Sequence, residues 1–168
     1  MQVIGLLAAL LGVQLGFEVH VLDRIQSGPK PELVRALGAT YHSCGVADVG
    51  FAPDIVMECT GVGEVISESI SRVAASGVVC LTGVGHGGPV PTMPMADIAS
   101  SAVLKNNVVI GSVNANKRHW YKAAEALARA ERSWLARLIT GRERPEDFAK
   151  ALGRGAQHIK VVIQFGDV

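Results

Sequence analysis

Short apolar runs rich in β-branched residues alternate along this chain with segments of helical periodicity, and glycine or proline separates one from the next. That alternation constrains the fold more than any other feature. A strand, a crossover helix and a second strand make a parallel sheet, and a parallel sheet must be covered on both faces. The expected fold class is α/β, a doubly wound parallel sheet in which ligands gather at the carboxyl ends of the strands.

The runs can be placed in order. Residues 3–15 are apolar on nearly every face and read as a helix packed between layers, broken by Gly16. Residues 17–22 are a short strand ending at Asp23 and Arg24. The loop Gly28-Pro29-Lys30-Pro31 leads into a helix over 32–37, stopped by Gly38. Residues 39–42 read as a strand, and 54–59 as one of the fully buried kind. Gly61-Val62-Gly63 turns into a helix over 64–75, followed by Gly77 and a strand over 78–82. A Gly- and Pro-rich loop covers 83–94, then a helix near 97–104 and a strand over 108–113. Trp120, Ala124, Leu127, Trp134, Leu135 and Leu138 fall near three-to-four spacing and predict one long helix, with Glu125 and Arg129 an i,i+4 pair. A helix over 145–152 and a strand over 159–165 complete the pattern.

Composition narrows what such a sheet can do. Lys and Arg number 16 and Asp and Glu 15, a net charge of +1. That balance argues against a nucleic-acid binder or a polybasic membrane-surface protein. Aromatics, at 5%, are too few for single-strand stacking platforms. Charged residues make up 18%, below the roughly 25% usual in soluble domains. The thin charge hints at an extra buried interface. Cys44, Cys59 and Cys80 show no metal-ligand spacing and cannot all pair, which suits buried thiols in a reducing, cytoplasmic setting. The apolar run over 3–13 has no preceding Lys or Arg and is well short of the roughly 20 residues that span a bilayer, so no membrane association is expected.

A dinucleotide fold carries a glycine-rich turn between its first strand and first helix, with an acidic residue about 20 positions on. Gly5 stands where the third glycine belongs, and Asp23 matches the acidic position. Gln2 takes the second glycine's place, and the first would fall before Met1. The expectation is a Rossmann-like sheet with its first strand missing. Losing that central strand would leave backbone groups unpaired on both neighbours, at about 1–3 kcal/mol each. Against a net stability of about 5–15 kcal/mol, the chain alone is expected to be marginal or rearranged. Either the two halves close up or another segment supplies the strand.

The segments at 5–11 (GLLAALL), 21–24 (VLDR), 33–41 (LVRALGATY), 58–63 (ECTGVG), 111–116 (GSVNAN) and 159–163 (IKVVI) resemble the C-terminal, cofactor-binding half of the glucose 1-dehydrogenases. These belong to the zinc-dependent medium-chain dehydrogenase/reductase superfamily. The resemblance covers essentially the whole chain. It implies that residues 1–140 form an NAD(P)-binding Rossmann-like domain, and that 141–168 pack toward a catalytic zinc domain outside this sequence. His20, His42, His86, His119 and His158 lack ligand spacing, so no zinc site is expected here. The expected function is cofactor placement in hydride transfer from sugar C1 to NADP or NAD. The chain alone is expected to be inactive toward glucose. A non-catalytic nucleotide-binding module and a truncated gene product are the alternatives.

Each candidate residue carries a plain structural reading beside the functional one. Asp23 ends a strand where an acceptor can take a ribose 2′-hydroxyl, or is a turn residue. Arg24 can meet a 2′-phosphate or the adenine, or is a surface charge. Thr60 and Gly61 suit a ribose, or an ordinary strand-to-helix turn. The resemblance implies that Thr82, Gly83 and Val84 line the nicotinamide, as do Ser112 and Asn114, and that Asn114 also reaches the sugar substrate. Asn116 is expected to cap the helix that follows. Lys160 is implied to lie near the cofactor, or is a lysine on a solvated strand face. The strand over 108–113, as a sheet edge, could pair with its copy in a homo-oligomer.

Overall fold

Glycines at left-handed positions punctuate the first third of the chain. The computed structural model describes residues 3–85, 94–153, 155 and 158–166. Helix α1 (Val3–Gln14) buries Leu6, Ala9 and Leu10, at the spacing that puts side chains on one helix face. Gly16, at φ 79°, ends it. Strand β1 (His20–Leu22) follows, then α2 (Pro29–Ala36) and β2 (Thr40–His42). Pro29 opens α2, where a missing N–H costs nothing, and Gly38, at φ 81°, closes it. Strands β1 and β2 pair in parallel, His20 opposite Thr40.

The middle third repeats the unit. Strand β3 (Ile55–Glu58), helix α3 (Gly63–Arg72), strand β4 (Val78–Leu81), helix α4 (Met95–Lys105) and strand β5 (Val108–Gly111) follow one another. The strands form a parallel sheet in the order β3-β4-β5. Glu58 is opposite Leu81, and Leu81 opposite Gly111, so the three carboxyl ends lie level. His86 and most of the loop over 83–94 lie outside the described residues.

The α/β class with parallel strands is observed, but not as one sheet. The pairs β1-β2 and β3-β4-β5 share no ladder, so the two halves do not close up. Helix α1 packs against both β1 and β3. Among the described residues two hydrophobic clusters result. One joins Leu6, Leu10, Val21, Leu33, Val34, Trp134 and Leu138; the other joins Ile70, Val73 and Val79. The expectation of a fully buried strand over 54–59 is corrected: Ile55 is 53% and Met57 45% exposed. Their inward-facing neighbour Val56 packs on the second cluster, so β3 is covered on one face only. The three cysteines are free and only partly buried, less than expected.

The single helix predicted over 120–138 is two. Helix α5 (Lys117–Arg129) stops at Ala130, whose ψ of 149° is extended, and α6 (Arg132–Ala136) restarts at once. The Glu131 carboxylate accepts from Ser133 N at 3.0 Å and Trp134 N at 2.8 Å, capping the new helix. The restart separates the fates of the tryptophans: Trp120 is 69% exposed and Trp134 4%. Trp134 Nε1 donates to the buried Leu33 carbonyl at 2.9 Å, tying α6 to α2. A strand that sequence reading missed, β6 (Ile139–Glu143), comes next; the expected domain division at 140/141 falls within it. After the short α7 (Phe148–Ala151), β7 (Lys160–Ile163) pairs with β6 in parallel. No described helix is long and apolar enough to cross a membrane.

On β1 and β2, His20 Nδ1 and His42 Nε2 are hydrogen-bonded at 2.8 Å, and Phe51 leans on the His20 ring. His20 Nε2 also meets Glu18 Oε1 at 3.0 Å. Burial, helped by the neighbouring His20, holds the His42 pKa below its usual value. The unfolded chain therefore binds more protons than the folded one just below about pH 6.5. Stability is expected to be fully present above that pH and to fall as pH drops through it, a dependence that His42→Gln flattens in denaturant titrations at stepped pH. Trp134→Phe removes the indole hydrogen bond to the Leu33 carbonyl, which keeps the Leu37 amide at 3.3 Å, and is expected to cost about 0.5–1.5 kcal/mol by urea unfolding. Trp120→Phe, at an exposed site, is expected to cost less than about 0.5 kcal/mol in the same assay.

Candidate functional site at the carboxyl rim

A carboxylate closes β3 and organises the turn after it. Glu58 is 2% exposed. Its Oε1 accepts from Thr60 N at 2.6 Å, Thr60 Oγ1 at 2.5 Å and Gly61 N at 3.1 Å. Val62 N donates to Thr60 Oγ1 at 3.0 Å, which leaves the hydroxyl proton directed at Glu58. Gly61 sits at φ 69°, a left-handed bend that glycine adopts without strain.

The Glu58 carbonyl holds the next loop. It accepts from Thr82 N at 2.8 Å, Gly83 N at 3.1 Å and Thr82 Oγ1 at 2.8 Å. The two turns touch backbone to backbone. A Cβ on Gly83 would lie 2.2 Å from Gly61 N and 2.6 Å from Thr60 N, and one on Gly61 would lie 2.4 Å from Gly85 N. No side chain fits at either position. Thr82 Oγ1 also lies 3.3 Å from Cys59 Sγ. Burial pushes the Cys59 thiol up against that hydrogen bond, and the Glu58 charge adds to the rise, so it is a poor nucleophile.

The rim continues along β5. Ser112 N donates to the Leu81 carbonyl at 3.0 Å, extending the ladder one residue past the strand. Asn114 is exposed and left-handed, at φ 67°. Asn116 caps α5, its side-chain oxygen accepting from His119 N at 3.2 Å. The rim thus gathers Thr60, Gly61, Thr82, Gly83, Val84 and Ser112, with Val84 well exposed, and Asn114 follows two residues past Ser112.

The other candidates lie apart from it. Asp23 N donates to the His42 carbonyl at 3.1 Å, which sets Asp23 at the carboxyl end of β1. Its Oδ1 accepts from Arg24 N at 2.7 Å, and the Arg24 side chain is exposed. Gly5 lies in the first turn of α1, a turn free of acidic residues. Lys160 opens β7 at its amino end, in a sheet that shares no ladder with the other two. Glu58 is the residue that sequence reasoning missed. The available signal was a lone carboxylate closing an apolar run immediately before Thr-Gly. Among the described residues, no group of three or more His, Cys, Asp or Glu could hold a metal ion. Cavities of about 140 Å³ beside Trp134 and about 400 Å³ beside Arg142 and Gln164 lie away from the rim.

An exposed polar rim over three level parallel strands fits a dinucleotide's ribose and amide groups. Comparison with known proteins agrees. The family described as "Glucose dehydrogenase C-terminus" matches residues 2–165. Glucose 1-dehydrogenase 2 of Vulcanisaeta moutnovskia is 35% identical over 166 residues, 96% of this chain and 47% of that protein. Glucose 1-dehydrogenase of Halobacterium salinarum is 37% identical over 149 residues, 84% of this chain and 42% of that one. The glucose dehydrogenase of Haloferax mediterranei, solved in complex with NADP, Zn and gluconolactone, superimposes with a TM-score of 0.87 at 26% identity. That match covers 99% of this chain and 49% of the Haloferax chain. An alcohol dehydrogenase of Thermotoga maritima shares the fold, with a TM-score of 0.76 at 23% identity. The chain spans about half the length of the curated relatives it matches. The chain belongs to the glucose dehydrogenase C-terminal family.

Proposed function

We propose that this chain supplies the nicotinamide-dinucleotide site of a glucose 1-dehydrogenase-type oxidoreductase. The observation that carries the proposal is the level carboxyl rim of β3, β4 and β5, with Gly61 and Gly83 in backbone contact. Thr60 and Gly61 receive a ribose. Thr82, Gly83 and Val84 line one side of the nicotinamide, and Ser112 and Asn114 line another. Asn114, which can both donate and accept, also meets sugar hydroxyls. Asp23 accepts from the ribose 2′-hydroxyl, and Arg24 meets a 2′-phosphate when NADP is bound. The first turn of α1, at Gly5, faces the pyrophosphate. Lys160 completes the set from β7.

Bound there, the cofactor supplies a ring carbon that accepts hydride from sugar C1. This chain's residues hold the ring, exclude water from its face and fix its approach. The described residues do not fit a zinc ion, so no metal-assisted step is assigned to them. The free cysteines suit a reducing compartment, and we place the protein in the cytoplasm. Strand β5 has one open edge, and Val108, Val109 and Ile110 are exposed along it. A twofold pairing of β5 with its copy would satisfy that edge.

Titration calorimetry of the chain with NADP and with NAD tests the cofactor reading. Saturable binding is expected for at least one of them. Gly83→Ala, which wedges the two turns apart, is expected to weaken it at least about tenfold, a loss of about 1.4 kcal/mol. No heat at millimolar cofactor overturns the reading. Sedimentation velocity tests the pairing: a dimer is expected, and Val109→Lys is expected to shift it to monomer.

A further inference from the structure

We propose that the buried carboxylate of Glu58 sets the redox preference of the rim, favouring the oxidised, positively charged nicotinamide over the neutral reduced one. The inference rests on the cofactor reading above and goes one step further, to which form of the cofactor the site holds better.

The argument begins with what surrounds the carboxylate. Three donors, Thr60 N, Thr60 Oγ1 and Gly61 N, point at it, and the Thr60 hydroxyl is committed as a donor by Val62 N. Such a donor set suits an anion and asks no proton of it. Hydrogen bonds satisfy the oxygens but leave the charge standing. Among the described residues no cation pairs with Glu58; ion pairs there include those of His20 with Glu18, Arg137 with Glu32 and Lys150 with Asp147. At 2% exposure, water screens it poorly. Its field is felt at the rim, since it helps push up the thiol of Cys59 next to it. The same residue's carbonyl holds Thr82 and Gly83, the loop assigned to the nicotinamide. A negative charge next to that loop distinguishes two ligands of nearly equal shape that differ by one positive charge on the ring.

A structural role alone would affect both forms alike, so the ratio of affinities separates the two roles. The experiment measures dissociation constants of NADP+ and NADPH for the full chain and for Glu58→Gln. The ratio Kd(NADP+)/Kd(NADPH) is expected to rise at least about threefold in Glu58→Gln, as removal of a nearby unit charge requires. Glu58→Asp, which keeps the charge, is expected to preserve the ratio even where both affinities fall. An unchanged ratio in Glu58→Gln overturns the proposal and leaves the cofactor reading intact. A second measurement needs no variant. The unaltered chain is titrated with NAD+ and with its neutral benzamide analogue, in which carbon replaces the ring nitrogen. NAD+ is expected to bind at least about threefold tighter. Equal affinity overturns the proposal, whereas no binding of any dinucleotide overturns the cofactor reading with it.

Discussion

Donors from two loops converge on Glu58, and the candidate site depends on that convergence. Its carboxylate takes the amides of Thr60 and Gly61, and its carbonyl takes those of Thr82 and Gly83. Buried polar groups in a low-dielectric setting are costly unless satisfied, and satisfied ones rigidify what they join. Here one residue serves as the hinge pin for both turns. The glycine contact beneath it follows: backbones drawn this close leave no room for a Cβ. The level register of β3, β4 and β5 then carries the arrangement on to Ser112.

The rest of the chain is organised around helix α1. It packs against both β1 and β3, though those strands exchange no hydrogen bonds. Its buried face contributes Leu6, Ala9 and Leu10 to the larger cluster, where Trp134 arrives from the far end of the chain and fastens to Leu33. The smaller cluster, around Val73 and Val79, is closed by α3 and β4 with Val56 of β3 and Ile98 of α4 against it. The carboxyl rim is therefore built on the thinner of two cores.

Much of the fold was legible because local chemistry and tertiary need agreed. Gly16 and Gly38 adopt the left-handed conformations that their positions after helices called for, and Asn116 caps α5 as its amide suggests. The break at Ala130 was not legible. Trp134 and Leu138 continue the three-to-four spacing of Trp120 and Leu127, and periodicity does not register a cap that restarts a helix. Strand β6 was hidden by the same overextension: Ile139 and Thr140 followed a helix that had already ended. The exposure of Ile55 and Met57 escaped notice because an unbroken apolar run reads as covered on both faces. The part played by Glu58 is hidden in sequence, where a single carboxylate has no visible partner; its partners are main-chain amides.

The contact between Gly61 and Gly83 has a consequence for how proteins built this way can diversify. The spacing of the two turns is set by main chain alone, so drift in neighbouring side chains leaves it untouched. A lineage that changes the dinucleotide it uses has little latitude there. Asp23 and Arg24 lie on a turn outside that contact, where exchanging one residue alters charge without disturbing the spacing of the two glycine turns.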